Sequence, residues 1–217
     1  MIRHVLKKGA TELGLKVSAT VTASLELFTA ELLKWNNRVN LTAITTIDEI
    51  AIKHFLDSLV LAEHITGADT MLDIGSGAGI PAIPVKILKP ELKVVSVDAV
   101  GKKIHFQRHV ARLLQLEEFE AVHARVEKLP SSYDRSFDLI TSRAFSDLRN
   151  FVEIAHPFLA DGGRIVAMKG SAAADEIKSA ESVISAFGYE IYSQYNYWLP
   201  FGMGERNLIT IAACKGR

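Results

Sequence analysis

Three glycines at alternate positions, Gly75, Gly77 and Gly79, follow the apolar run Met71, Leu72 and Ile74, with Asp73 set inside that run. A glycine-rich turn directly after a buried strand lets backbone approach a ligand without Cβ clashes. It also lets a helix N-terminus face that ligand. The spacing is G-x-G-x-G across Gly75-Ser76-Gly77-Ala78-Gly79. The dinucleotide fingerprint needs a glycine where Ile80 stands, and no G-K-[ST] closes a phosphate loop. Asp73, two residues before the first glycine, suits a pocket for a cationic amino-acid-like group. A second acid, Asp98, ends the next strand nineteen residues after Gly79. An acid there accepts hydrogen bonds from ribose hydroxyls. Spacing and acids together tilt the reading from NAD towards S-adenosylmethionine (SAM), with a plain helix cap as the other reading of Asp98.

Two more strand exits carry chemistry. Ala124-Arg125-Val126-Glu127 follows the third strand. Backbone there can bracket an adenine ring, or the segment is an ordinary surface turn. Ser142-Arg143-Ala144 ends the fourth strand, beside the place where a transferred methyl emerges. Arginine is a fixed fork of donors that suits guanine edges or phosphate. Arg143 is equally read as structural, paired with an acid such as Asp73 or Glu127. The N-P-P-Y pattern of adenine amino-group methylation is absent. Cys214, the single cysteine, falls in the predicted last strand, away from any pyrimidine ring. Lys102 and Lys103 on one helix, with Lys169 and Arg206 near the last strands, are candidate RNA phosphate contacts, or a solvated surface. Lys103 and Lys169 lie closest to strand exits. Nothing in the sequence has metal-ligand spacing, and no metal is expected.

The elements that position these groups follow from periodicity. Val5, Leu6 and Leu13 suggest a short first helix stopped at Gly14, and Leu25, Phe28, Leu32 and Trp35 mark a helix over 21–37. A third helix is expected over 49–64 behind Asp48 as its N-cap. Strands at 70–74, 92–97, 119–123, 137–142 and 164–168 alternate with helices at 80–88, 102–114, 147–159 and 173–187. Segments 189–197 and 206–213 then form an antiparallel hairpin. The fold class is α/β: a Rossmann-like, mostly parallel seven-stranded sheet of the class I SAM-dependent methyltransferase type, with an N-terminal helical extension. Residues 1–65 are expected as that extension and 66–217 as the methyltransferase domain. Ligands in such sheets bind at the C-terminal strand ends.

The 217 residues carry 25 basic and 25 acidic side chains, so net charge argues mildly against nucleic acid while leaving local patches open. One cysteine permits no intrachain disulfide and fits a reducing compartment. No apolar run is long enough for a membrane span and no signal peptide is recognisable, so a cytoplasmic protein without membrane contact is expected. A monomer is also expected.

Lys34-Trp35-Asn36 with Asn40-Leu41-Thr42, His54, Leu56-Asp57-Ser58, the Asp73–Gly79 motif, Ile83-Pro84, Lys102-Lys103, Arg125-Val126-Glu127, Ser142-Arg143-Ala144 and Lys169-Gly170 together resemble the RsmG (GidB) family. These are bacterial guanine-N7 methyltransferases of small-subunit ribosomal RNA. The resemblance spans nearly the whole chain and departs at Ala82, where the family usually has glycine. It implies SAM as cofactor and methylation of one guanine in the 530 loop of 16S rRNA on a ribosomal particle. Arg143 would orient the acceptor with no general base. His54 and Asp57 would organise the junction of helical extension and sheet, or touch RNA. A small-molecule methyltransferase, an NAD enzyme and a non-catalytic assembly factor are the competing readings.

Overall fold

A computed structural model describes residues 2–143, 145 and 147–214. Ala144 of the S-R-A motif lies outside the described residues. Strands β1 (Thr70–Ile74), β2 (Lys93–Asp98), β3 (Phe119–His123), β4 (Phe137–Ser142) and β5 (Leu159–Lys169) run parallel. β6 (Tyr189–Trp198) and β7 (Glu205–Ala213) close one side, and β7 lies antiparallel to both β5 and β6. The order is β3-β2-β1-β4-β5-β7-β6. The order reverses direction between β1 and β4, and that is where a crevice opens at the strand ends.

The inner strands read as continuous apolar runs because both faces of the sheet are covered. One face carries α1 (Ile2–Glu12), α2 (Ala19–Val39), α3 (Ile47–Glu49), α4 (Asp57–His64), α5 (Ala82–Leu88) and α6 (Gly101–Leu113). Leu6, Phe28, Leu32, Phe55 and Phe106 fill that layer. The other face carries α7 (Leu148–Ala155) and α8 (Ala173–Ala186), packed through Phe151, Val152, Ala180 and Ile184. Residues of the N-terminal helices and of the sheet therefore share one core.

Three departures from the sequence reading have local causes. Thr46, not Asp48, caps the third helix: its hydroxyl accepts from the Glu49 N–H and bonds the Glu49 carboxylate, a reciprocal capping pair. α7 stops at Ala155 because Pro157 offers no N–H to continue it, and a single tight turn follows. The expected helix over 49–64 is not uniform. Ile50–Leu56 is wound more widely, as a π-helix, between α3 and α4.

That wide turn places Asp57 at the junction with the sheet. Its side chain is 1% exposed. Tyr197 on β6 donates its hydroxyl to Asp57 Oδ1 at 2.6 Å. Burial and the adjoining carboxylate push the phenol above its ordinary range, so it remains a donor. Removing a donor from a buried carboxylate costs about 1–3 kcal/mol. Tyr197→Phe is therefore expected to lower the unfolding free energy by that amount in urea denaturation. An unchanged midpoint would remove this bond from the account of how the helices attach.

Candidate functional site

The glycine turn leaves β1 and crosses to β2. Gly75 and Ser76 donate their N–H groups to the Val97 carbonyl at 2.8 and 3.1 Å. Gly77 and Gly79 both have positive φ, but their surroundings differ. A Cβ on Gly77 would meet only Lys103 Nζ, at 4.0 Å, so its backbone faces open space. A Cβ on Gly79 would lie 2.5 Å from Ile83 Cδ1, so that glycine serves helix packing. The Ser76 hydroxyl turns inward and is 2% exposed. It accepts from Ser96 Oγ at 2.6 Å and from Gln107 Nε2 at 2.8 Å.

Gln107 is a site residue that the sequence reading missed. It is fully buried on α6 and also donates to the Gly77 carbonyl at 2.9 Å. The available signal was an uncharged polar side chain beside the apolar positions Ile104, Phe106, Val110 and Ala111 of the same helix.

Asp98 grips the same turn from β2. Its Oδ2 accepts from the Gly77 N–H at 2.9 Å, and its Oδ1 from the Val100 N–H at 2.8 Å. Asp98 thus does lead the chain into α6, but a carboxylate has about four acceptor positions, which leaves two. Lys103 Nζ stands 4.0 Å from Oδ2. A cleft of roughly 300 Å³ opens here, lined by Gly75, Asp98, Ala124–Glu127 and Phe145. Val126 is buried and anchors the 124–127 segment, while Arg125 and Glu127 are exposed. Larger hollows of about 490 and 510 Å³ lie between α6 and β3 and between α1 and α2. Neither reaches the strand ends, so size alone does not identify the site.

Asp73 lies beneath the turn with no exposed surface. Its Oδ2 accepts from the Ala82 N–H at 3.2 Å, and its Oδ1 has no partner. Burial pushes its pKa up to about 7, against the Ala82 N–H and the positive charge of Arg143, with the nearby charge of Asp98 adding to the rise. A buried polar atom without a partner is an open demand for a donor.

Arg143 sits on the helical side of the crevice. The acid beside it is Asp57, at 3.5 Å from Nη2, in place of the expected Asp73 or Glu127. Nη2 also donates to the Lys53 carbonyl at 3.0 Å, while Nη1 is buried and unpartnered. His54 joins the cluster: its Nε2 meets the Thr42 hydroxyl at 3.0 Å. Burial first, and then the Arg143 charge, pull the imidazole down to about 3. His54 and Asp57 are both buried, bound within the junction.

The four candidate phosphate contacts separate. Lys102 is exposed on α6 and Lys103 half-buried at the cleft. Lys169 is corrected: it is 7% exposed and its ammonium donates to the Phe145 carbonyl and to Glu176, both at 2.5 Å. That side chain builds the site from within. Arg206 leans inward, its Nε 3.8 Å from Asp57 and its Nη1 donating to the Glu205 carbonyl. Among the described residues no group of three metal-ligating side chains occurs, and no helix is long and apolar enough to cross a membrane.

Comparison with known proteins agrees along the chain. Residues 21–196 match the family model GidB, rRNA small subunit methyltransferase G. A ribosomal RNA small subunit methyltransferase G from Geobacter sp. (strain M21) is 50% identical, over 96% of each chain. The protein of that name from Syntrophotalea carbinolica is 40% identical over 100% of both chains. Among solved structures, a SAM-dependent methyltransferase from Aquifex aeolicus superposes with a TM-score of 0.59 at 15% identity, over 85% of this chain and 98% of that one. P. horikoshii TYW2 in complex with MeSAdo gives 0.59 at 13%, over 73% and 62%. At such identities the likeness is one of fold.

The raised pKa of Asp73 has a stability consequence. Between its ordinary 3.8 and about 7 the unfolded chain loses this proton while the folded chain keeps it. The Asp73 contribution therefore weakens as pH rises through that window, and levels off above it. His54 slopes the opposite way, because an unfolded histidine takes up its proton below about 6.5 while the buried one resists. The difference between wild type and Asp73→Asn isolates the carboxyl. Without ligand, that difference should shift in favour of the variant by a few kcal/mol from about pH 4 to pH 7. A flat difference in chemical denaturation would contradict the assigned burial effect.

Proposed function

Because the chain belongs to the GidB family of rRNA small subunit methyltransferases, we propose that it methylates N7 of one guanine in the 530 loop of 16S rRNA, acting on small-subunit particles. It is a SAM-dependent methyltransferase, and the observation that carries the chemistry is the unpartnered, fully buried Oδ1 of Asp73 beneath the glycine turn. The cofactor supplies an electrophilic methyl group carried on a sulfonium.

Asp73 takes the ammonium end of the cofactor, which supplies the missing donor. Gly75, the Ser76 backbone, Gly77 and Gly79 shape the turn over which the cofactor lies, with Gly77 offering the close approach. Asp98 uses its two remaining acceptor positions for ribose hydroxyls. Ala124, Arg125, Val126 and Glu127 wall the adenine side of the cleft. Arg143, braced by the Lys53 carbonyl and Asp57, directs Nη1 to the acceptor side. Guanine N7 carries an in-plane lone pair and no proton, so no side chain has to act as a base. Alignment and close approach are what the protein contributes. Lys102 and Lys103 meet phosphate at the rim. Residues 1–65 work as the helical extension of a methyltransferase domain formed by 66–217.

Three outcomes check this reading. Unmodified small subunits incubated with methyl-labelled SAM should become labelled at a single guanine, mapped by its N7-specific strand cleavage. Absence of label, or label in metabolites instead, would reject the RNA assignment. Asp98→Asn should weaken SAM binding by about ten- to a hundredfold in calorimetry, since hydrogen bonds to a charged acceptor contribute roughly 1.5–3 kcal/mol. Unchanged affinity would count against the ribose role. Arg143→Lys keeps the charge but loses the planar fork. It should slow single-turnover methyl transfer at least tenfold, a loss of about 1.4 kcal/mol or more, while SAM affinity changes far less.

A further inference from the structure

We propose that the turn joining β6 to β7 is a stacking platform for unpaired bases of the RNA substrate, built from Trp198 and Phe201 beside Lys8. The inference rests on the reading of the substrate as RNA and adds where that RNA lies.

Position comes from the sheet. Asn207 of β7 pairs with Lys169 at the end of β5, and Trp198 pairs with Glu205. The 199–204 turn therefore stands at the same rim of the sheet as the β1, β2 and β4 exits. From β4, which delivers Arg143, to β6 is three strand spacings, roughly 14 Å. About four stacked nucleotides cover that distance.

The turn is braced from below. Leu199 is 1% exposed and its N–H bonds the Gly204 carbonyl at 2.9 Å. Pro200 is buried against Gly9 of α1, where an added Cβ would come within 3.2 Å of the proline ring. On this braced turn the two rings point out. Trp198 is 69% exposed, more than any other large hydrophobic side chain among the described residues, and Phe201 is 43% exposed. Phe201 adopts φ 59°, ψ 26°, a left-handed conformation that disfavours a bulky side chain, although glycines stand at 202 and 204. A scattered exposed ring is ordinary. A phenylalanine held in a conformation suited to glycine, three residues from an exposed tryptophan, is not accounted for by packing. Lys8 Nζ lies over the Phe201 ring, 5.2 Å from its centre, and brings positive charge to the place where a phosphate would follow a stacked base. Aromatic faces with an adjacent cation are the chemistry by which single-stranded RNA is held.

The test uses the whole protein. Trp198→Ala and Phe201→Gly, the latter compatible with the left-handed turn, should each raise KM for unmodified small subunits. The rise expected from losing a stacked base is about five- to a hundredfold. SAM affinity and kcat should hold, and Trp198→Phe should recover most of the loss. A direct reading is available because the chain has only two tryptophans. In Trp35→Phe, Trp198 is the sole emitter, and its fluorescence should be quenched by single-stranded poly(A). Normal methylation with unchanged KM and no quenching would overturn the platform and leave the methyltransferase reading standing. Quenching without methylation of subunits would do the reverse. Dissociation of a dimer by Trp198→Ala, seen in sedimentation, would assign the rings to a second copy and overturn the proposal.

Discussion

A buried carboxylate needs donors, and Asp57 draws them from three parts of the sheet. Tyr197 comes from β6, Arg206 from β7, and Arg143 from the residue after β4. Asp57 itself begins a helix of the N-terminal layer. Breaking such a cluster by removing one partner is far worse than never having built it, because the remaining charge stays buried. The cluster therefore fixes the last two strands, the β4 exit and the N-terminal helices in one arrangement. The arginine at the reaction side of the crevice inherits its position from that arrangement.

The widened helical turn at Ile50–Leu56 makes this possible. In a regular α-helix the Asp57 N–H would bond the Lys53 carbonyl. Here it reaches the carbonyls of Ile52 and His54. The Lys53 carbonyl accepts from Arg143 Nη2 in that place. One backbone acceptor is thus diverted from holding a helix together to holding a functional side chain. The neighbouring turn is tied by Asn36, whose side-chain oxygen accepts from the Leu41 and Thr42 N–H groups, and Thr42 in turn meets His54. The K-W-N and N-L-T motifs are therefore parts of one brace behind Arg143.

Much of the fold was legible because its causes are local. Val94, Val95 and Val97 announce a strand buried on both faces, and the glycines at 75–79 announce a turn whose conformation other residues resist. Asp98 was legible as an acid at a strand end. Its second duty, gripping the Gly77 N–H, was not, since those residues are 21 apart in the chain. Gln107 and Tyr197 were illegible for the same reason: their partners lie 31 and 140 residues away. Lys169 was misplaced because a strand-end lysine reads as a free cation, and only the packing of α8 brings Glu176 to it. The π-helix escaped because the apolar stripe Ile52, Phe55, Leu56, Leu59 fits a regular helix as well.

Two acids share the glycine turn, and their different wiring divides the work between them. Asp98 already holds two backbone N–H groups, so its geometry is set before any ligand arrives. Asp73 holds one, and its other oxygen is left without a donor in a site with no exposed surface. A preset acceptor suits neutral hydroxyls, which are selected by position. An under-satisfied carboxyl raised towards neutrality suits a cation, because the arriving charge both supplies the donor and favours the ionised form. On the other side of β1 the sheet repeats the contrast with cations: Lys169 is fully engaged and structural, while Arg143 keeps one nitrogen unpartnered. The unmet hydrogen-bonding capacity of the crevice is concentrated on one anion-forming and one cationic group, on either side of the place where the strand order reverses. That is the arrangement a two-substrate transfer requires, with each reactant completing a different side of the same crevice.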